Sequence, residues 1–312
     1  MNEAEILLRL LRLPDIGPVA VRKLAARLET KGKSLSEIDG FTDHQLATDF
    51  KMTEAQIEAL RHPQLNASED LKECRKQGIV IITQRDLLYP FEKLLTIGKA
   101  QPALLFLKGN IDLLKQPAMA ISGARNADEG SLQMVDSLCE KLASEGWVIV
   151  SGGARGVDEV AHLAALRKGP GTILVMPTGF FRPNFRDELK KRLDEKKTLL
   201  ISEFPPEQGW AHGTAMMRNQ LIAALSRGVV LVEPGKRGGT GGTGKLTQKM
   251  GVPLYILQTD QLDNEVADKF IKKKAALIQP GDMKNSALTN LLLENWVRSE
   301  EQRRSHHPDL FK

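Results

Sequence analysis

The chain opens with apolar residues at helical spacing. Between Glu3 and about Leu28, Ile6, Leu7, Leu10 and Leu11 share one face, LPDIGP interrupts, and VAVRKLAARLE resumes the pattern. Two helices around a turn holding Ile16 and Gly17 outline a helix-hairpin-helix. In that motif the glycine allows close backbone approach and a helix N-terminus offers N–H groups to a phosphate. A plain αα-hairpin with a glycine turn accounts for the same residues. Shorter helical patterns continue to about Lys76, so residues 1–76 are expected to form a small all-α domain of helix-hairpin-helix or SAM-like type.

The period then changes. Ile79 to Thr83 is a β-branched run, LLYP a turn, and PALLFLKGN a second short strand, either the entry to a larger sheet or an edge strand beside it. From Met119 onward apolar runs alternate with amphipathic stretches. MAIS, WVIVS, TILVMP, TLLIS, VVLVEPG and PLYIL read as strands; GSLQMVDSLCEKLASEG, VDEVAHLAALRKG, RDELKKRLDEK, AMMRNQLIAALSRG and GKLTQKMG read as helices. Continuous apolar strands separated by amphipathic helices mean a parallel sheet covered on both faces. The expected fold class is α/β: a Rossmann-like, doubly wound, mostly parallel sheet. It is placed over residues 77–282, with 283–312 as a C-terminal helical tail made of one helix and a frayed basic end.

Ligands of such sheets bind at the carboxyl ends of the strands, and several of those ends carry glycine with a cation. Ser151, Gly152 and Gly153 leave a strand, Arg155 and Gly156 follow, and a helix starts at Val157. Glycines expose consecutive N–H groups, and the helix N-terminus adds partial positive charge, so the loop has the makings of an anion seat; a tight βα turn that needs glycine for packing is the plainer alternative. Asp158 and His162 lie four residues apart and are expected to be able to pair. Gly123 and Arg125 follow MAIS, Ser202 and Glu203 end TLLIS, and EPGKRGGTGGTGK follows VVLV, bringing Lys236, Arg237, Gly238, Gly239, Thr240 and Lys245 to the same rim. Arg182 and Arg186 add charge there, and Phe180, Phe181, Phe185 and Trp210 offer faces for stacking bases or for packing under a loop.

Composition alters this picture little. The 312 residues are 41% hydrophobic and 27% charged, as in ordinary globular proteins, and the net charge of +5 leans toward an anionic partner. Cys74 and Cys139 lie far apart without a metal-binding spacing, which points to reduced thiols, a cytoplasmic setting and no metal. No apolar run approaches the ~18 residues of a membrane span, and MNEAEILLRL lacks the basic start of a signal peptide.

Taken in order, LPDIG, GIVIITQRDLLYP, PALLFLKGN, ISGAR, IVSGGARGVDEVAH, TILVMPTG, LLISEFPP, RNQLIAALSRGVVLVE and PLYIL resemble the DNA-processing protein A family, also called Smf. The resemblance implies a helical domain followed by an extended Rossmann core. It also implies a function: binding and protection of single-stranded DNA and loading of a RecA-type recombinase in recombination or transformation, by a homodimer with no enzymatic activity or cofactor. By position, Arg125, Ser151, Gly152, Arg155, Gly156 and Asp158 match the family's phosphate-seating motifs, Glu203 its Ser-Glu strand end, and Arg218 with Asn219 its Arg-Asn pair. Three departures fall on the rim: Gln220 where the family has Arg, FFRPNF in place of a Tyr-Pro segment, and KRGGTGGTGK in place of Ser-Gly-Ser with a following Thr-Ala.

Two enzymatic readings and a nucleotide sensor compete with a binding module. GTGGTGKL approaches a P-loop, but Leu246 stands where a hydroxyl would hold Mg²⁺. The same run echoes phosphoribohydrolases of this fold, yet it carries no acid for glycosidic cleavage.

Overall fold

The computed structural model describes residues 3–62, 67–236, 238–284 and 287–306. Helices α1 (Glu3–Leu11), α2 (Pro18–Thr30), α3 (Asp43–Thr48), α4 (Glu54–Arg61) and α5 (Ser68–Lys76) come first. Thr42 and Thr53 cap α3 and α4, each with a reciprocal glutamine three residues on, so these short helices start where the orphan N–H groups find acceptors. The turn before α2 behaves differently from the helix-hairpin-helix expectation. Gly17 sits at φ −113° with open space around its Cα, and the left-handed residue is Asp15, at φ +56°.

Strands β1 (Val80–Thr83) and β2 (Leu104–Gly109) flank a short helix α6 (Phe91–Leu94). Then β3 (Ala118–Gly123), α7 (Glu129–Ser144), β4 (Val148–Ser151), α8 (Val157–Lys168), β5 (Thr172–Val175), α9 (Asp187–Arg192) and β6 (Thr198–Ser202) alternate. The alternation continues through α10 (His212–Ala224), β7 (Val229–Val232), α11 (Gly239–Lys249), β8 (Leu254–Leu257), α12 (Asn264–Ile271) and β9 (Ala276–Ile278) before α13 (Ala287–His306). The strands form one nine-stranded sheet in the order β1-β2-β6-β5-β4-β3-β7-β8-β9. The pairs from β6 to β9 are parallel, while β2 runs antiparallel to β6 and β1 antiparallel to β2. The doubly wound expectation therefore holds, and the GIVIIT segment is an edge strand of the same sheet. The three-residue β9, ALI, is too short to carry a strand pattern in its charged stretch of sequence.

Strand alternation explains how the layers meet. In β2, Leu104 and Phe106 point into the core of the helical region, and Leu105 and Leu107 into a second core. In β3, Met119 and Ile121 pack under α7, α8 and α13, while Ala118 and Ala120 face the opposite core with α10 and α12. Helices thus change faces where the chain passes from β6 across to β7, and the switch point lies between β3 and β7. Tail helix α13 is docked by buried Leu288 and Leu292 and by Trp296, whose ring lies 4.1 Å from the Arg227 guanidinium.

The glycine run departs from its expected form. It is helical from Gly239, so Thr240 to Gly244 lie inside α11 rather than in a loop. Glycine normally costs a helix about 1 kcal/mol relative to alanine, but here packing excludes a side chain. A Cβ on Gly244 would lie 2.6 Å from Leu231 and 2.8 Å from Phe270, and one on Gly241 would lie 2.6 Å from the Gly235 carbonyl oxygen.

Candidate functional site

At the carboxyl edge of β3, β4 and β5 the loops enclose an open cleft of about 680 Å³. The β4–α8 loop forms its floor. Ser151 is fully buried and donates its hydroxyl to the Ile121 carbonyl at 2.7 Å, so this side chain ties β4 to β3 rather than facing the cleft. Gly153 and Gly156 turn at φ +70° and +83°, where only glycine is unstrained. At Gly156 a Cβ would also strike the carbonyl oxygens of Ala124 and Arg125, at 2.8 and 2.7 Å.

Asp158 lies behind this loop, not in front of it. It is buried and accepts the Ala154 N–H at 3.3 Å. Burial raises its pKa, with the Arg218 charge and the loop N–H groups pulling the other way. Arg218, on α10, is buried directly beneath Gly152, so that a Cβ there would fall 1.5 Å from the guanidinium Nη1. The same Nη1 donates to the Val175 carbonyl at 2.8 Å, while Nε has no partner among the described residues. Burial lowers the Arg218 pKa; Asp158 opposes that shift and Arg125 reinforces it. The loop therefore stands on a fixed, sub-surface cation that lines the cleft.

The expected Asp158–His162 pair does not form. His162 Nδ1 sits 2.7 Å from Thr172 Oγ1, and that hydroxyl already donates to the Ile149 carbonyl. Nδ1 must then carry the hydrogen, leaving Nε2 as an acceptor without a partner among the described residues. Burial pushes the His162 pKa down to about 3, so the ring is neutral. A helical spacing of four permits a pair; here Thr172, on the strand beneath, competes successfully for the ring.

Two exposed arginines complete the floor's edge. Arg125 follows Gly123, which packs tightly on Val157; Arg155 reaches back to the Arg125 carbonyl at 3.3 Å and to the Asn126 side chain. Arg186, paired with Glu159 at 3.5 Å and Glu188 at 3.4 Å, faces them from across the cleft. Of the four aromatic residues, Phe185 and Trp210 line the cleft, with Trp210 47% exposed. Phe180 and Phe181 instead pack against the core of the helical region. Arg182 is exposed but does not line the cleft.

The rest of the expected rim lies elsewhere. Asn219 donates to Thr243 Oγ1 at 2.9 Å and joins α10 to α11. Glu203 is buried after β6, and burial alone pushes its pKa up to about 7. Lys236 and Lys245 line a separate groove beside α11. Gly238, at φ +112°, caps α11, and Gly239 and Thr240 form its first turn. Arg237 lies outside the described residues. Asn126, Pro177 and Asn184 line the cleft without having been singled out; only Asn126, next to Arg125 in ISGARN, had a signal in its position.

A doubly wound sheet whose glycine loops converge on an arginine-lined cleft defines a Rossmann-type protein with a cationic crevice at the strand ends. Residues 80–288 match the family described as DNA recombination-mediator protein A, and the chain belongs to that family. It is 35% identical over 185 residues to the DNA processing protein DprA of Streptococcus pneumoniae, across 58% of this chain and 64% of that protein. It is 36% identical over 168 residues to that of Bacillus subtilis, across 53% and 56%. The chain thus spans less than two thirds of the length of these curated relatives. The X-ray structure of the Streptococcus pneumoniae protein is similar with a TM-score of 0.73 and 28% identity, covering 91% of this chain and 96% of the other. That of DNA processing protein A from Helicobacter pylori, described for its single-stranded DNA binding mode, has a TM-score of 0.57 and 29% identity, covering 68% and 95%.

Proposed function

We propose that this protein is a recombination mediator that holds single-stranded DNA in the arginine cleft. The observation that carries the reading is the convergence of Arg125, Arg155, Arg186 and the buried Arg218 on one 680 Å³ cleft beside Trp210. Arginine forks suit phosphodiester oxygens, and an exposed indole gives any base a stacking face. The Helicobacter pylori relative's described binding mode supports the same ligand class. Following the family resemblance, a RecA-type recombinase receives the strand and the working form is a homodimer. On this reading the core of 77–282 supplies the site, while 1–76 and 283–312 flank it.

Binding without catalysis is the reading the lining supports. The described residues that face the cleft include no carboxylate, so a glycosidic bond held there has none of them as an acid beside it. Lys245 lies on α11 outside the cleft, which disfavours a P-loop. The test is a titration with single-stranded DNA, duplex DNA and nucleotides side by side. Single strands should bind more tightly than duplex, and each phosphate neutralised should add roughly 0.7 to the log–log salt slope. Equal affinity for duplex, or no salt dependence, would overturn the reading. Light scattering of the full chain tests the homodimer.

A further inference from the structure

The glycine run that resembles a phosphate loop in the sequence builds something else in the fold. Because Gly241 and Gly244 present no side chain, α11 settles onto β7 and α12, and a groove of about 430 Å³ opens along its outer side. Gln248 fixes the width by donating to the carbonyls of Phe270 at 3.1 Å and Lys273 at 3.0 Å. From Gly241 to Gln248 the groove runs roughly 10 Å at the helical rise per residue, away from the carboxyl edge and toward the opposite edge of the sheet, where α12 ends.

Its lining is unlike that of the cleft. Lys236, Lys245, Lys269, Lys272 and Lys273 rim it, and its walls are largely carbon, from Val266, Phe270 and the lysine stems. No acid lines it. Glu265 neutralises only the end nearest the cleft, through Lys236 at 2.5 Å and Lys269 at 2.8 Å. Lys245, Lys272 and Lys273 are exposed and pair with no acid among the described residues.

We propose that this groove docks an acidic peptide segment of a partner protein, with one apolar side chain of that segment seated between α11 and α12. Charge complementarity selects the occupant: a lysine rim needs carboxylates, and a carbon-walled floor needs an apolar anchor. A nucleic acid fits less well, because Phe270 is only 5% exposed and gives no base a stacking face. The proposal is independent of what the cleft binds.

The test uses the full chain and a short fluorescein-labelled peptide of aspartates and glutamates around a single phenylalanine, read by anisotropy. The combined substitution Lys245→Glu, Lys272→Glu and Lys273→Glu alters only exposed side chains and should weaken the peptide at least tenfold, with single-stranded DNA affinity held within twofold. Replacing the peptide's phenylalanine by alanine should weaken it several-fold. Three results overturn the proposal: no binding of the peptide to the unaltered protein, binding indifferent to its phenylalanine, or a tenfold loss of DNA affinity in the triple variant with the peptide unaffected. The last would make the groove a nucleic-acid track. Peptide binding by a protein that binds no single-stranded DNA would leave this proposal standing and overturn the reading of the cleft.

Discussion

On the β3–β6 half of the sheet the cations are arginines: Arg155 and Arg218 donate to backbone carbonyls, Arg186 pairs with Glu159 and Glu188, and Arg218 is buried under a glycine. On the β7–β9 half they are lysines on exposed stems around an apolar trench. Both halves carry the same outward signal in the sequence, glycine with a basic residue after a strand. In the cleft, Gly153 and Gly156 serve backbone conformation, at φ +70° and +83°. In α11, Gly241 and Gly244 serve helix packing against Gly235, Leu231 and Phe270. Glycine after a strand therefore marks close approach, and what approaches decides whether the result is an anion seat or a groove.

The sharpest way to break this distinction is Gly152→Ala. Its Cβ would fall 1.5 Å from Arg218 Nη1, so the guanidinium must leave its place beneath the loop. Swinging outward, it would occupy the cleft and leave Asp158 buried without its cation. Single-stranded DNA binding should drop at least a hundredfold, about 3 kcal/mol, in a titration paired with urea denaturation. Affinity within twofold of the unaltered protein would mean that the cleft is not the site.

A pH comparison separates the halves next. Glu203 in the cleft half is raised by burial from its ordinary 4.5 to about 7, whereas the exposed Glu265 by the groove is lowered to about 2, first by the Lys236 hydrogen bond and then by Lys269. The raised Glu203 contributes stability that is fully present below about pH 4.5 and lost as pH rises through about 7, an effect on the order of 3 kcal/mol. Glu203→Gln should therefore raise the melting temperature at pH 8 and leave it nearly unchanged at pH 4.5. Glu265 stays ionised throughout, so Glu265→Gln should leave the profile between pH 5 and 8 in place. Equal profiles for the unaltered protein and Glu203→Gln would remove the buried carboxyl from the account.

Arg125→Ala and Arg155→Ala should each weaken single-stranded DNA by ~1–3 kcal/mol, as for charge-assisted hydrogen bonds, with little change in melting because both side chains are exposed. Unchanged affinity with a sharply lower melting temperature would make these arginines structural. The smallest effect belongs to the other half. In Gly242→Ala the new Cβ meets only the flexible Met216 Cε, at 3.0 Å. Improved helix propensity should leave stability neutral or raise it by up to ~1 kcal/mol, with DNA affinity unchanged; a large loss would show that α11 tolerates no added volume even there.

Much of this was legible along the chain. Short apolar runs alternating with amphipathic helices read as strands buried on both faces, so MAIS, WVIVS and TILVMP pointed to a parallel sheet, and Arg125 and Arg155 at its carboxyl edge followed from topology. What the chain could not announce were choices between partners distant in sequence. Thr172 takes His162 from Asp158, Asp158 turns inward to hold the loop, and Arg218 crosses from α10 to support Gly152, all by contacts that exist only once β4, β5 and α10 are side by side. The strained Glu233, at φ +49° beside the switch point, has no mark in its residue type. Local pattern determined the elements and their order, because periodicity and glycine conformation are properties of neighbours along the chain. Which cations share a cleft, and which rim a groove, was decided only by packing, because a side chain's burial and partners depend on residues that the fold alone brings together.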